Sequence, residues 1–477
     1  MSGPAAPPGD GAPPEPRLAD EGRWYAEHTA LLISTSKWAL LGASAGVCVG
    51  LGTRAFLAAL AAANVAVGRL RLGPLGPSAL LPLVLPLSVW LVRRFAPDAR
   101  GHGTEAVIAA VHERSGKIEW RVAPIKLLAT VATLAFGGSV GKEGPCAQIG
   151  AAITSFFADR LRLSDEDRRR LVVCGIGAGF AAVFGTPVSG ALFGIEVLYL
   201  GRIEYPVLFP CLVAGIVAHL VCGVGPPVPA LHESFGALGQ STLVGLSLAF
   251  GVAFGLMALV LIESLRGVET LVRRYEAHPY RVAAAGGLVL AIFYGAVGER
   301  YAGLGTATIE QAMTGVVDFG LLAFAFKIFA TAVTLETGGS GGIVTPIFFV
   351  GAAGGAALAH AVGLPPGAFA AFGFVSVLAA AANTPIAAAV MGIELLPGPV
   401  GVFAALCAGT AFLIVGHRSV YASQKLGFSK SAGLDLPLET SIRDGRRGMR
   451  VRPGSLTERA LRAGDALREG ARRPRKK

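Results

Sequence analysis

The segment GKEGP at 141–145 combines one carboxylate with residues that turn a chain and start a helix. Pro145 suits a first helical turn, where its missing N–H is not needed, and we expect a helix from Cys146 to Phe157. The free N–H groups and positive dipole end of such a helix bind an anion without a side-chain cation. Glu143 is therefore a candidate gate, because its carboxylate can take the anion's place. The alternatives are an ordinary helix cap or a salt bridge with Lys142.

The same pattern recurs in the second half of the chain. GGSVGKEGPCAQIGAA at 137–152 aligns with GGSGGIVTPIFFVGAA at 338–353, and the second copy predicts a helix from Ile347 to His360. A second pair follows in the same order, TPVSGALFGIEVL at 186–198 and TPIAAAVMGIELL at 384–396. These matches indicate a duplicated unit. Broken helices at matching positions of two halves favour a binding site at the repeat interface.

The elements that position these motifs are predicted to be membrane helices. Of the 477 residues, 53% are hydrophobic and 15% are charged, whereas soluble domains carry about 25% charged residues. The mean hydropathy is +0.59, and apolar stretches suited to a hydrocarbon core of roughly 30 Å recur along the chain. We predict an all-α, polytopic membrane protein with tilted helices that are broken by glycine and proline.

The organisation predicted from composition has three parts. They are a disordered cytoplasmic leader at 1–30, a membrane body at 31–430 and a basic cytoplasmic tail at 431–477. Within the body we expect repeat one at about 31–225, repeat two at about 239–416 and a last helix at about 419–429. The tail, with one predicted amphipathic helix near Leu456 to Leu467, supplies most of the net charge of +11. Such a flank favours contact with anionic lipid over contact with nucleic acid.

The motifs resemble those of the CLC family of chloride channels and chloride/proton antiporters, over roughly residues 35–427. GKEGP is similar to the family's G(K/R)EGP segment, GIVTP at 342–346 to its GxFxP segment, and Tyr421 falls at the place of its conduction-pathway tyrosine. The resemblance is to bacterial members without CBS domains. It implies inverted halves, a homodimer with one pathway per subunit, and a multi-pass protein of the cell (inner) membrane with both termini cytoplasmic.

The resemblance also implies roles for individual residues. Glu143 would be the external gating glutamate, which swings between a blocking and an open position. The anion would be held by backbone N–H groups at Glu143, Gly144, Ile343 and Val344, and by the Tyr421 hydroxyl on the inner side.

One departure from the family pattern concerns the family's first motif. GHGTE at 101–105 stands where the family usually has GSGIP, so His102 replaces a serine that commonly coordinates the anion. Either the imidazole donates an N–H to the anion, or His102 points aside and the backbone N–H groups of Gly103 and Thr104 bind it. We leave both alternatives open here.

A second departure concerns protons. Val197 stands where proton-coupled members carry an inner glutamate, which weakens a prediction of proton antiport. Its replacement in a proton-coupled protein would be water or a different acid, such as Glu204. Glu196 and Glu394 recur in both halves, and we interpret them first as structural residues at helix ends.

We therefore expect a transporter of chloride or a similar small inorganic anion, gated by Glu143 and acting as a chloride channel. The alternative is a chloride/proton antiporter of the same fold. An organic-solute carrier or a membrane-embedded enzyme is a remoter alternative, because it needs a pocket with several side-chain donors and acid/base pairs. We expect no enzymatic activity, cofactor, metal site or nucleic-acid partner. The expected partners are the anion, membrane lipid, a second copy and, for the antiporter, protons.

Overall fold

The computed structural model describes residues 24–70, 73–225, 238–396 and 398–463. Helices account for most of the described chain: α1 Trp24–Gly68, α2 Leu81–Phe95, α3 Thr104–Glu113, α4 Val122–Ala135, α5 Glu143–Arg160, α6 Asp165–Phe184, α7 Pro187–Glu196, α8 Tyr205–Cys222, α9 Gln240–Arg273, α10 Pro279–Val297, α11 Thr306–Met313, α12 Ala323–Glu336, α13 Val344–Ala361, α14 Pro366–Ala382, α15 Pro385–Leu395, α16 Pro399–Ile414 and α17 Ile442–Gly445. Two pairs of short strands complete it: β1 Tyr199–Leu200 with β2 Lys425–Leu426, and β3 Leu434–Asp435 with β4 Arg450–Val451.

The helices confirm the predicted membrane fold. Six helices of the described chain are long and apolar enough to cross a membrane. Their burial differs: 83% of the apolar window of α13 is buried, against 33% of the window that contains α2. Because a membrane protein needs apolar side chains on the lipid face as well as inside, α13 lies within the bundle while α2 contributes to its lipid-facing wall.

The duplication found in the sequence is a duplication of structure. Helices α1 to α8 correspond in order to α9 to α16, and both α4 and α5 have the same length as their mates α12 and α13. Helix α6 ends on Gly185 and α14 on Asn383, both in the left-handed conformation that closes a helix. The two halves pack against each other through α5 and α13, α2 and α10, and α7 and α15.

Reciprocal hydrogen bonds show how the halves are related. The backbone N–H of Ser139 donates to the Thr334 hydroxyl at 3.1 Å, and the backbone N–H of Ser340 donates to the Thr133 hydroxyl at 3.1 Å. The second bond is the first with the halves exchanged. A contact that repeats in this way is produced by a two-fold axis between two equivalent units.

The repeated glutamates take part in the same symmetry. Glu394 accepts hydrogen bonds from the backbone N–H groups of Val188 and Ser189, at 2.9 and 2.8 Å, where α7 begins. Glu196 does the same for the start of α15, at 3.0 and 2.8 Å. Each carboxylate satisfies donors that a helix leaves unpaired, and each serves the helix of the other half. The structural interpretation of Glu196 and Glu394 is confirmed.

Both ends of the body differ from the sequence-based boundaries. Helix α1 begins at Trp24, so the described end of the predicted leader at 1–30 is helical, and the rest of that leader lies outside the described residues. The predicted last helix at 419–429 is wrong, because this segment forms turns and β2. The side-chain amide of Gln424 donates to the carbonyls of Val197 and Ala382, at 2.8 and 2.7 Å. These contacts and the pairing of β2 with β1 hold the segment extended across the body.

The tail continues from this extended segment. Residues 456–463 are helical, as predicted for the region near Leu456, and the remainder of the predicted helix lies outside the described residues.

Candidate anion site

The two predicted anion-binding helix starts meet. Helices α5 and α13 begin at Glu143 and Val344, a few residues earlier than the sequence suggested. Gly141 and Gly342 exchange two backbone hydrogen bonds, at 2.6 and 2.7 Å, so the chains enter the helices side by side. A side chain at Gly342 would lie 2.7 Å from the Gly144 nitrogen, closer than any Cβ atom approaches. Glycine is therefore needed where the halves touch.

Glu143 fills the space between the two helix starts. It is 1% exposed, and its Oε2 accepts the backbone N–H of Thr345 at 3.0 Å. The Thr345 hydroxyl lies 2.7 and 2.6 Å from the two carboxyl oxygens. The carboxyl group of the first half thus caps the helix of the second half. This contact is a helix cap made across the two halves, and none of the ion pairs among the described residues joins Glu143 to Lys142.

The turn GHGTE packs directly against this centre. Gly103 has φ +80, and a Cβ there would lie 2.5 Å from the Gly144 carbonyl oxygen. A Cβ on Gly144 would in turn lie 2.3 Å from the His102 carbonyl oxygen. Only glycine permits such approach, and its freedom at positive φ forms the turn. Helix α3 then starts at the buried Thr104.

The His102 side chain lines a cavity of about 600 Å³. Its Nε2 lies 3.5 Å from Oε1 of Glu336, which also lines the cavity. Its Nδ1 is buried and makes no hydrogen bond to the described residues. The turn therefore meets the helix starts through its backbone, while the imidazole connects the turn to the cavity.

Tyr421 is the remaining predicted site residue. The side chain is fully buried, and its hydroxyl makes no hydrogen bond of ordinary geometry within the described chain. Thr104, Glu105 and Glu143 are near enough to influence the hydroxyl electrostatically. The structure thus gathers at one place the residues singled out from the sequence: His102, Gly103, Thr104, Glu143, Gly144, Ile343, Val344 and Tyr421.

Two buried lysines that the sequence reasoning missed hold the turns in place. Lys126 donates to the carbonyls of Ala99 and Gly101, at 3.1 and 2.7 Å. Lys327 donates to the carbonyls of Tyr301 and Gly303, at 3.1 and 2.8 Å. The signal was present in the sequence, because GHGT at 101–104 has a second copy, GLGT at 303–306, and each is followed by its lysine at nearly the same spacing.

Thr345 was also missed, since sequence reasoning considered only its neighbours Ile343 and Val344. The proposed substitute acid, Glu204, is engaged elsewhere. It pairs with Arg169 at 2.9 Å, while Val197 is buried at the end of α7.

Comparison with known proteins identifies relatives over most of the chain. Residues 83–416 match the family described as "Voltage gated chloride channel". A "Chloride/fluoride channel protein" of Pseudomonas syringae pv. tomato is 38% identical over 364 residues, which are 72% of this chain and 80% of the relative. An "H(+)/Cl(-) exchange transporter ClcA" of Yersinia pseudotuberculosis is 30% identical over 359 residues, which are 70% and 73% of the two chains.

Solved structures agree with this result. A CLC-type fluoride/proton antiporter superposes with a TM-score of 0.76 at 28% sequence identity, covering 82% of this chain and 98% of that protein. A slow cyanobacterial Cl−/H+ antiporter superposes with a TM-score of 0.67 at 22% identity, over 79% of this chain and 94% of the other, and shows the shared fold.

Proposed function

Because the chain belongs to the voltage-gated chloride channel (CLC) family, whose members are transporters, we propose that it exchanges a small halide, chloride or fluoride, for protons. Transport of an anion across the membrane is the family's activity. The observation that supports exchange with protons is the position of Glu143, whose carboxyl group accepts hydrogen bonds from the backbone N–H and the hydroxyl of Thr345 at the start of α13. A titratable group in an anion's place links anion movement to proton movement.

The coupling follows from competition for the same donors. An ionised Glu143 carboxylate accepts the N–H and hydroxyl of Thr345, which are the donors that a halide would use. A protonated carboxyl loses most of this attraction, because charge-assisted hydrogen bonds are roughly twice as strong as neutral ones. Proton uptake therefore favours release of the side chain and entry of the anion. Loss of the proton returns the side chain and expels the anion.

Two relatives support antiport over the channel that the sequence alone favoured. The Yersinia relative is named as an exchange transporter, and the structure at 28% identity is a fluoride/proton antiporter. The channel remains the second candidate, favoured by the name of the Pseudomonas relative. The same names make fluoride a candidate anion beside chloride.

Purified protein in liposomes tests the proposal. Vesicles loaded with chloride or fluoride are diluted into a low-anion medium, and anion release and external pH are followed with electrodes. We expect protons to move against their own gradient while the anion leaves. Anion release without uphill proton movement would support the channel instead, and no release of either halide would contradict both candidates.

We further propose a homodimer in the inner membrane with cytoplasmic termini, which the family resemblance implies. Apolar side chains such as Ile393 and Val402 are 60% and 62% exposed on α15 and α16, and a partner or lipid would cover them. Chemical cross-linking in native membranes tests the dimer, since a single-chain product alone would contradict it. Labelling of single cysteines placed near each terminus tests the orientation.

A further inference from the structure

Tyr421 lies in a segment without regular secondary structure. Residues 416–424 form turns and irregular chain between α16 and β2. The Tyr421 hydroxyl is buried and has no hydrogen-bond partner in the described chain, which leaves it free for a bound anion. A side chain on irregular backbone is placed precisely only where neighbouring residues fix it. The contacts of this segment therefore decide where the hydroxyl lies.

Glu105 joins this segment to the first turn of α3. Its Oε1 accepts the backbone N–H of Ser423 at 3.0 Å and the Ser423 hydroxyl at 2.7 Å. Ser423 is two residues after Tyr421. Hydrogen bonds to a carboxylate are stronger than those between neutral groups, so the pair holds Ser423 firmly. The two residues are 318 positions apart in the sequence, and their contact ties α3 to the chain beyond α16.

The turn that precedes Glu105 also touches the start of α5. Gly103 lies two residues before Glu105, and a Cβ on Gly103 would be 2.5 Å from the Gly144 carbonyl oxygen. The two backbones therefore meet without a side chain between them. Two contacts thus connect α5 with the chain around Tyr421: a glycine packing and a pair of hydrogen bonds to Glu105. Together they set the separation between the start of α5 and the Tyr421 backbone.

The second half has a different residue at the position of Glu105. Its turn at 303–306 is followed by Ala307, which is exposed and has no side-chain acceptor. Both turns are fixed by a buried lysine, so the frame of the turn does not depend on a glutamate. Glu105 therefore belongs to the residues that distinguish the two halves.

Other hydrogen bonds fix the segment to different helices. The backbone N–H of Val420 donates to the Ala381 carbonyl of α14 at 2.9 Å. The side-chain amide of Gln424 binds carbonyls at the ends of α7 and α14. These bonds hold the segment in the body whether or not Glu105 is present. Loss of the Glu105 contacts should therefore loosen Tyr421 without unfolding the segment.

We infer that Glu105 is a positioning residue that fixes the Tyr421 hydroxyl at the anion pathway and thereby sharpens the choice among small anions. The inference rests on the proposed transport of a halide, but not on its coupling to protons. One way to select an ion by size is to hold its donors at a fixed separation. When Glu105 no longer binds Ser423, the hydroxyl can leave its position, and anions of different size are treated more alike.

Glu105→Met tests this role in the full-length protein in liposomes. Methionine keeps the length of the side chain and removes the acceptor, whereas Glu105→Gln keeps an acceptor oxygen for Ser423. Separate vesicles are loaded with chloride, bromide, nitrate or fluoride, and their initial release rates are compared. The ratio between the fastest and the slowest anion should fall about threefold or more in Glu105→Met, because a hydrogen bond to a charged group changes a population about tenfold. Glu105→Gln should restore most of the original ratio. Ala307→Met, which places the same side chain after the other turn, is the matched control with an unchanged ratio.

The outcomes separate this role from the proposed function. If the unaltered protein releases none of the four anions, anion transport is wrong and the role of Glu105 falls with it. Release without uphill proton movement contradicts antiport alone. An unaltered protein without preference among the anions, or a Glu105→Met variant that slows all four equally and keeps the ratio, overturns the role of Glu105.

A second pair of variants applies if Glu105→Met does not fold. Ser423→Ala removes one of the two hydrogen bonds to Glu105, and Ser423→Thr keeps the hydroxyl. A ratio that falls in the alanine variant alone supports the positioning role, and any other result overturns it.

Discussion

The two GxGT turns share a scaffold but differ in what surrounds them. In each half a buried lysine binds the carbonyls of the turn. In the first half, Gly103 touches the Gly144 carbonyl and the turn carries an imidazole. In the second half, a Cβ on Gly305 would lie 2.6 Å from the Phe349 ring, which fills the space beside the turn. The repeat thus gives both halves the same lysine-held turn. The side chains with possible chemical roles are those that differ between the two copies.

The same contrast holds at the helix starts. Glu143 of the first half has Val344 as its counterpart, and the capping partner Thr345 has Gly144. One half provides the acid, and the other provides the donors that receive it. The predictions below test whether unshared residues control transport while shared residues control stability.

The largest effect is expected for Glu143→Gln. Removal of the titratable group should lower the number of protons moved per halide about a hundredfold, because glutamine cannot carry a proton between the two sides. Halide release should continue and lose its dependence on pH. Paired flux and pH recordings in liposomes measure both quantities. Val344→Ala, at the counterpart position, should keep the coupling ratio, and equal behaviour of the two variants would contradict the gate assignment.

Thr345→Val should have the next largest effect. It removes the hydroxyl that lies 2.7 and 2.6 Å from the carboxyl oxygens while keeping the shape of the side chain. A hydrogen bond to a charged group contributes about 1.5–3 kcal/mol, so the blocking position should be populated at least about tenfold less. Halide release at neutral pH should become faster in the flux assay. Thr345→Ser should restore the original rate, and a valine variant with unaltered flux would disprove the role of this contact.

Glu196→Gln and Glu394→Gln should affect stability instead. Each change weakens the cap on one helix start of the opposite half, at an expected cost of about 1–2 kcal/mol. Because the two contacts are related by symmetry, the two losses should be similar. Thermal unfolding in detergent measures them, with halide flux as the control for function. A large loss for one variant and none for the other would show that the halves do not share this role equally.

The smallest effect concerns two solvent-exposed ion pairs. Asp98 pairs with Arg114 at 2.8 Å, and Arg300 with Asp318, also at 2.8 Å, so acid and base exchange places between the halves. The hydrogen bonds from Arg300 hold the pKa of Asp318 below its ordinary value of 3.8. Its stabilising contribution is present above that value and is lost as pH falls through the lower folded-state pKa.

Asp318→Asn should therefore lower the thermal midpoint slightly at neutral pH and not at all in strong acid, where the unaltered chain has lost the same contribution. Because exposed pairs stabilise little, the change should be smaller than for either cap variant. Thermal scans between neutral and acid pH provide the measurement, and a difference that persists in strong acid would contradict this origin.

Much of the fold could be predicted because its causes are local or repeated. Gly and Pro in GKEGP and GIVTP set the two helix starts, and the repeated Gly-Ile-Glu segments indicated paired helix ends. The last segment could not be predicted in this way. The sequence of this segment is compatible with a helix. In the structure Gln424 donates hydrogen bonds to carbonyls at the ends of α7 and α14, and these partners are distant in the sequence.

The site shows the same division. The motifs identified Glu143, the turn at His102 and Tyr421, because each stands in a recognisable pattern. Thr345 gains its importance only because the fold places its hydroxyl beside the Glu143 carboxyl group. Lys126 and Lys327 were predictable in principle, since the repeat marks them both.

The crossed glutamate caps also constrain when the first half of the chain can finish folding during synthesis. The start of α7 receives its cap from Glu394, which lies about 206 residues further along the chain. A ribosome adding roughly 5–20 residues per second takes on the order of ten to forty seconds to cover that distance. Until Glu394 has been synthesised, two N–H donors at the start of α7 lack the cap that the folded protein gives them, so the first half can complete its folding only when most of the body has been translated.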